Sequence, residues 1–344
     1  MARLFYDLTY DEILDWVQEK AESKFRAKQI YLWQKSAASL EEMSNLSKDL
    51  RRKLGESFSF NKPKILSVLK SEIDGTEKYL FELEDGQILE AVLMRYKYGN
   101  TICLSTQAGC RMGCDFCAST QASFARNLSC GEMLTQVAEV EAKTAEKIRR
   151  VVLMGIGEPL ENLAEVIKFC ERIHDPLLFD ISYRRMTLST CGLVPEIYAL
   201  AKAKLPITLS ISLHSPFQER REAIMPIAKR YKISELIEAA QAYFKESGRR
   251  VSYEYTLFRD FNDRPEDLRE LQKLFAHQAV HINLIPANNF PGSVYYPPLA
   301  ETVENFKEGL HEVGIEATVR RSLGRDIEAA CGQLRLKYLA NNTD

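Results

Sequence analysis

The chain has 344 residues, 45% of them hydrophobic and 27% charged, which excludes disorder, collagen and low-complexity sequence. Lys and Arg number 46 against 48 Asp and Glu, and the net charge of -2 excludes a uniformly basic surface for nucleic acid. The length suits one large domain, or a large domain with an accessory one.

The N-terminal stretch carries Asp7, Asp11, Glu12 and Asp15, so it has neither the basic start nor the unbroken apolar run of a secretory signal. No window reads as a membrane span, and the chain is expected in the cytoplasm. Residues 1–60 read as helical. Tyr10-Asp11-Glu12 opens one periodic segment, Phe25, Ile30, Leu32 and Trp33 mark a second, and Asn45-Leu46-Ser47 precedes a third. Lys78 to Leu83 then alternates, Asp85-Gly86 is a hairpin turn, and Ile88 to Met94 forms the return strand. These elements define an accessory region over 1–97.

Beyond residue 98 strands and helices alternate. Strand candidates are Thr101–Thr106, Arg150–Gly155, Arg185–Thr190, Ile207–His214, Val251–Leu257, Val280–Ile285 and Ala317–Arg321. Helical segments include Gly131–Ala145, Leu160–Ile173, Ser234–Lys245 and Pro265–His277. Repeated β-then-α order predicts an α/β fold with a parallel sheet, as a complete or partial barrel. Chemistry in such folds gathers at the C-terminal ends of the strands, where the motifs of this chain also fall.

Eight cysteines stand in the sequence, and disulfides are not expected in a reducing compartment. Cys110, Cys114 and Cys117 form a C-x3-C-x2-C run, close enough for three thiolates to embrace one compact group. Thiolates favour iron–sulfur clusters, zinc and copper(I). A closed zinc site wants a fourth ligand, for which Cys103 and Cys130 are the nearby candidates.

This run, with Phe116 before its last cysteine, resembles the radical S-adenosylmethionine (SAM) signature. Its surroundings narrow the resemblance. Cys103-Leu104-Ser105-Thr106-Gln107, Met154-Gly155-Ile156-Gly157-Glu158-Pro159, Leu188-Ser189-Thr190, Ser212-Leu213-His214, Met225-Pro226-Ile227, Asn283-Leu284-Ile285-Pro286 and Ala329-Ala330-Cys331-Gly332-Gln333-Leu334 follow in the order of the RlmN family of dual-specificity rRNA adenine methyltransferases. Phe25-Arg26-Ala27-Lys28-Gln29-Ile30 is also similar to that family.

The resemblance implies a partial, TIM-like radical SAM barrel over 98–344 behind a helical and β-hairpin accessory domain. It implies one 4Fe-4S cluster on Cys110, Cys114 and Cys117, and two SAM molecules per turnover. It places SAM contacts at Gly157, Glu158, Ser189, Ser212, Leu213, His214 and Asn288. In such enzymes Cys331 would take a methyl group from one SAM. Radical attack from that methyl would then reach carbon 2 of adenine, an electron-poor carbon closed to polar methyl transfer. Cys103 would release the covalent RNA adduct through a disulfide, and Glu90 would remove the ring proton. The implied partners are 23S rRNA, tRNA and an electron donor such as flavodoxin or ferredoxin.

Taken alone, Glu90 reads as a solvated strand glutamate, His214 as a satisfied structural histidine, and Gly157-Glu158-Pro159 as a strand-end turn. Cys130, Cys170 and Cys191 read as packing residues. Arg220-Arg221, Lys229-Arg230 with Lys232, Arg249-Arg250, and Arg320-Arg321 with Arg325 are grouped cations suited to phosphate contacts. Lys24, Arg26, Lys28, Arg51, Arg52 and Lys53 would add a further footing. Two rival readings remain at this point: a Cfr-type enzyme methylating carbon 8 of the same adenine, and a non-catalytic RNA-binding protein with structural zinc.

Overall fold

The computed structural model describes residues 2–36, 39–120, 123–287, 294–321, 323–327, 334–335 and 338–339. The N-terminal residues fold as three helices, α1 (Tyr10–Glu19), α2 (Phe25–Leu32) and α3 (Lys48–Ser57). Thr9 and Glu12 form a reciprocal cap on α1, and the Ser47 side chain accepts from the Leu50 amide to start α3. Their apolar faces enclose a small core of their own, with Phe5, Ile13, Trp16, Val17, Ile30 and Leu54 buried. This unit docks on the helix Cys130–Thr144. There the Gly131 amide donates to Asp7 Oδ1 (2.6 Å), and a Cβ on Gly131 would stand 2.7 Å from the Tyr6 carbonyl carbon. Only glycine permits that approach.

The main sheet has ten strands: β1 (Lys64–Lys70), β2 (Glu77–Glu82), β3 (Ile88–Tyr96), β4 (Gly99–Cys103), β5 (Ile148–Leu153), β6 (Met186–Thr190), β7 (Thr208–Ser212), β8 (Ser252–Leu257), β9 (His281–Pro286) and β10 (Glu316–Val319). Each strand lies beside its predecessor. β1 to β4 pair antiparallel and β4 to β10 pair parallel. The parallel strands begin and end within about three residues of the expected bounds. The Asp85-Gly86 turn forms as expected, with Gly86 at φ +76°. β1, which the sequence did not announce, extends the hairpin to an antiparallel wing. Residues 64–96 thus continue the same sheet as the parallel strands.

Crossover helices cover one face of the parallel half: α4 (Cys130–Thr144), α5 (Leu163–His174), α6 (Val194–Lys202), α7 (Gln218–Ile224), α8 (Ile233–Ser247), α9 (Pro265–Leu274) and α10 (Ala300–Glu312). The strand pleat sorts side chains by that cover. Val151, Leu188, Leu209, Ile211, Tyr253, Ile282 and Leu284 face the helices and form the core. The concave face instead carries Thr187, Ser210, Ser252, Glu254, His281 and Asn283, which line a cleft of about 570 Å³. A packed barrel fills its interior with branched apolar side chains. This half-barrel has a polar interior with room for a ligand. No helix among the described residues is long and apolar enough to cross a membrane.

Candidate active site

The cysteine loop leaves β4 through a small clasp in which Gln107–Ala108 pairs with Arg126–Asn127. Gly109 has φ +89°, and a Cβ there would lie 2.3 Å from the Ser123 carbonyl oxygen. The Cys117 amide donates to the Cys114 carbonyl (3.1 Å), and Thr120 Oγ1 donates to the Cys117 carbonyl (2.8 Å). From outside, the Asp115 amide donates to the Ile224 carbonyl (3.0 Å) and the Tyr295 hydroxyl to Asp115 Oδ2 (2.6 Å). The loop is therefore held by backbone and side chains independently of what its thiols bind.

Cys110, Cys114 and Cys117 line one cleft of about 190 Å³ together with Gly157, Glu158, Ser189, Ser212 and His214. Five residues expected to contact SAM and the three expected cluster ligands thus meet at the C-terminal ends of four strands. Leu213 is adjacent but points its side chain into the apolar core, so it offers only backbone to the site. Asn288 and Cys331 lie outside the described residues.

Burial pushes the Cys110 thiol up to about 12 and the Cys114 thiol further. Such thiols stay protonated until a metal displaces the proton. Three thiols facing one cleft are a donor set that fits an iron–sulfur cluster with an iron left open. The zinc reading fares worse. Among the described residues no three His, Cys, Asp or Glu side chains close on a single ion. Neither Cys103 nor Cys130 lines the cleft, and the Cys130 sulfur lies instead near the buried Arg172 guanidinium (3.9 Å).

Gly157 has φ +116°, and a Cβ would stand 2.7 Å from Gln107 Cβ. Glu158 is buried, and its carboxyl accepts from the backbone amides of Leu160 (3.0 Å) and Cys191 (2.8 Å). It therefore ties the loop after β5 to the loop after β6. Burial raises its pKa, while those amides pull it back down. The Thr190 and Cys191 side chains also bond to this carboxyl, so it is held from both loops.

His214 occupies the left-handed region at φ +55°. Its Nδ1 accepts from the Thr256 amide (3.0 Å), which assigns the ring proton to Nε2. Burial, reinforced by Arg221, holds its pKa down at about 3, so the ring is neutral. The Phe116 ring meets it edge-on at 4.8 Å.

The strand register places Glu90 and Cys103 on the concave face, because Val92 lies opposite Cys103 and Cys103 opposite Val152. Glu90 is 3% exposed and faces the fully buried Lys78 ammonium at 3.2 Å. It is not a solvated glutamate. Its Oε1 accepts from the Arg335 amide (2.5 Å). Nearby, Asp326 accepts from the Ser71 hydroxyl (2.7 Å) and the Glu72 amide (2.9 Å), and the Gly324 amide donates to Asp74 (2.8 Å). The chain is thus anchored to the antiparallel wing on both sides of residue 331.

Sequence reasoning missed three contributors. Cys191, read as packing, lines the cleft of the three loop thiols. Asn262 is fully buried; its Nδ2 donates to the His214 and Thr256 carbonyls (each 2.7 Å) and its Oδ1 accepts from the Phe258 amide (2.7 Å). Arg221 was grouped with Arg220 as a surface cation, yet it is 1% exposed and bonded to carbonyls of the site loops. Arg220 pairs with Asp267 (2.7 Å) and Glu266. Arg250 pairs with Glu316, Arg52 with Asp49 and Glu56, and Lys53 with Glu22. Much of the grouped positive charge is therefore matched internally. Lys229, Arg230, Lys232, Arg321 and Arg325 remain exposed.

Two family patterns match the chain: the radical SAM superfamily over residues 104–272 and the ribosomal RNA large subunit methyltransferase N-terminal domain over residues 5–59. A protein of Clostridium novyi named "Probable dual-specificity RNA methyltransferase RlmN" is 48% identical over 338 residues, covering 98% of both chains. A protein of the same name from Carboxydothermus hydrogenoformans is 47% identical, covering 98% of this chain and 99% of its own. A crystal structure of a radical SAM methyltransferase from Sphaerobacter thermophilus superposes with a TM-score of 0.92 at 37% identity, covering 96% of this chain and 98% of that one.

Proposed function

Because the chain belongs to the RlmN family of dual-specificity radical SAM RNA methyltransferases, we propose that it methylates carbon 2 of an adenosine in the peptidyl-transferase region of 23S rRNA and of an adenosine beside the anticodon of tRNA. One observation carries the reading. The three loop thiols, Gly157, Glu158, Ser189, Ser212 and His214 line a single cleft, with Glu90 and Cys103 on the same concave face. When bound, the 4Fe-4S cluster and SAM supply a one-electron cleavage that generates the 5′-deoxyadenosyl radical.

Each residue then has a physical task. Cys110, Cys114 and Cys117 would hold the cluster, for which a flavodoxin- or ferredoxin-type donor in the cytoplasm would supply the electron. Glu158, on the border of the same cleft, faces the ammonium of SAM. Ser189, Ser212 and His214 border the same ligand, and His214, being neutral, adds no charge beside the sulfonium. Leu213 contributes backbone, and Asn288 completes the SAM contacts.

Cys331 carries the methyl group to the base; Asp326 and Arg335, on either side of it in the sequence, are bonded to the wing that bears Glu90. Glu90 takes the ring proton. The Cys103 thiolate then attacks the Cys331 sulfur; the sulfur–carbon bond breaks, its electron pair stays with the methylene carbon, which takes up a proton as the product methyl, and the disulfide frees the RNA. The accessory region 1–97, together with the exposed cations, helps place the RNA against the catalytic region 98–344.

Mass spectrometry of nucleosides from RNA treated with the anaerobically reconstituted enzyme tests this reading. 2-Methyladenosine is the expected product. 8-Methyladenosine would assign the chain to the carbon-8 chemistry instead, and protein that binds no iron would end the radical reading. Cys103→Ala is expected to accumulate protein covalently bound to RNA; normal release of methylated RNA would remove its role.

A further inference from the structure

The short helix α7 fastens two parts of the site at once. Its last residue, Ile224, accepts the Asp115 amide from the middle of the cysteine loop. One turn earlier, the Arg221 guanidinium donates to the carbonyls of Cys191 (2.7 Å), Ser212 (3.1 Å) and Leu213 (3.2 Å). Those carbonyls belong to the loops that follow β6 and β7 and border the cluster cleft.

The arginine presents an electrostatic problem. It is among the largest fully buried side chains of the molecule. A buried guanidinium normally faces a carboxylate. Here no carboxylate pairs with Arg221 among the described residues, and its named partners are neutral carbonyls. Burial lowers its pKa only to about 10, so it remains a cation at neutral pH, and Cys191 and Cys114 are the thiols that act on it once deprotonated. Among the described residues the interior therefore holds a positive charge with no carboxylate partner, close to the proposed cluster ligand Cys114.

We propose that the counterion of Arg221 is the iron–sulfur cluster, and that the guanidinium raises the cluster's reduction potential. Three thiolates outweigh the charge of the oxidised core. One electron from an external low-potential donor then adds a further negative charge, and no bond is made or broken. A fixed cation in a low-dielectric surrounding stabilises the more negative state more strongly, so the electron is accepted more readily. This proposal rests on the assignment of the cluster to Cys110, Cys114 and Cys117, and the iron content of the wild-type protein checks that assignment separately.

The test is an EPR-monitored titration of SAM-free, anaerobically reconstituted protein with titanium(III) citrate. For Arg221→Gln the equilibrium constant for reduction should fall about tenfold, a negative shift of about 59 mV for a one-electron couple. Arg221→Lys keeps the charge but loses the planar fork, and should stay close to wild type. A fully loaded Arg221→Gln protein with an unchanged potential would overturn the proposal. Should Arg221→Gln fail to retain iron, Arg221→Lys decides: retention supports a requirement for charge, and failure of both variants reduces Arg221 to a structural fork and overturns the electrostatic role.

Discussion

In the parallel half of the sheet, Ser189, Ser212 and the loop residues of the site stand at or just past the C-terminal ends of strands, whereas in the antiparallel wing Glu90 projects from within β3. Parallel strands all end on one side, so their loops converge without further help. Antiparallel strands end alternately on both sides, and only their faces can be aimed at a common point. The two solutions have different costs. The loops need polar clamps, supplied by Glu158, Asn262 and Arg221 through their bonds to backbone. The wing aims Glu90 by register, but it must bury a carboxylate, and it does so against the Lys78 ammonium and the Arg335 amide.

Removing a group from each half exposes the difference. Cys114→Ala should give a folded, colourless protein with background iron and no SAM cleavage; iron content and 5′-deoxyadenosine release are the readouts, and a fully loaded variant would break the assignment of the loop. In the wing, Glu90→Gln withdraws the charge facing buried Lys78 and should cost about 3 kcal/mol of stability in urea. RNA methylation should be lost, while SAM cleavage without RNA continues. Adding Lys78→Met should recover most of the stability and none of the methylation. Recovery of both would show that Glu90 is structural only.

The clamps give smaller effects. Asn262→Ala leaves the His214 and Thr256 carbonyls without their donor and should cost about 2 kcal/mol, with weaker SAM binding and unchanged RNA affinity. Equal SAM affinity by calorimetry would exclude Asn262 as a positioning residue. The smallest effect concerns pH. The folded pKa of His214, about 3, lies below its ordinary value of 6.5. The stability tied to its neutral form is complete above pH 6.5 and drains away as pH falls from there toward 3, because the unfolded chain takes up the proton first. Denaturation of His214→Gln from pH 7 to 5 should therefore show a flatter slope than wild type. An identical slope would remove the histidine from the balance.

The parallel strands were legible because period-two apolar residues had to meet the helices, and the hairpin because Asp85-Gly86 supplies its turn. β1 was not, since the register shifts between Ile65 and Ser67 and breaks its alternation. The three loop thiols were legible as one group by their spacing. Arg221 did not, because an arginine beside Arg220 in a polar helix looks like solvated surface, and only the fold turns one of the two inward. Glu90 was misread for the same reason: a carboxylate on a strand gains burial from a neighbouring lysine that is distant in sequence. Cys191 resembled Cys130 and Cys170, two thiols of the apolar core, and differs from them only by lying where β6 ends at the cleft.

Because each strand lies beside its predecessor from β1 to β10, the ribosome releases the sheet in the order in which it pairs. Every new strand finds its neighbour already made, which keeps loop closures short and favours rapid, stepwise growth during synthesis. Two contacts break that rule. Asp326 returns to Ser71 and Arg335 to Glu90, across most of the polypeptide. A nascent chain can thus complete its sheet, its cysteine loop and its clamps before Arg335 meets Glu90, so that contact joins a scaffold that is already built.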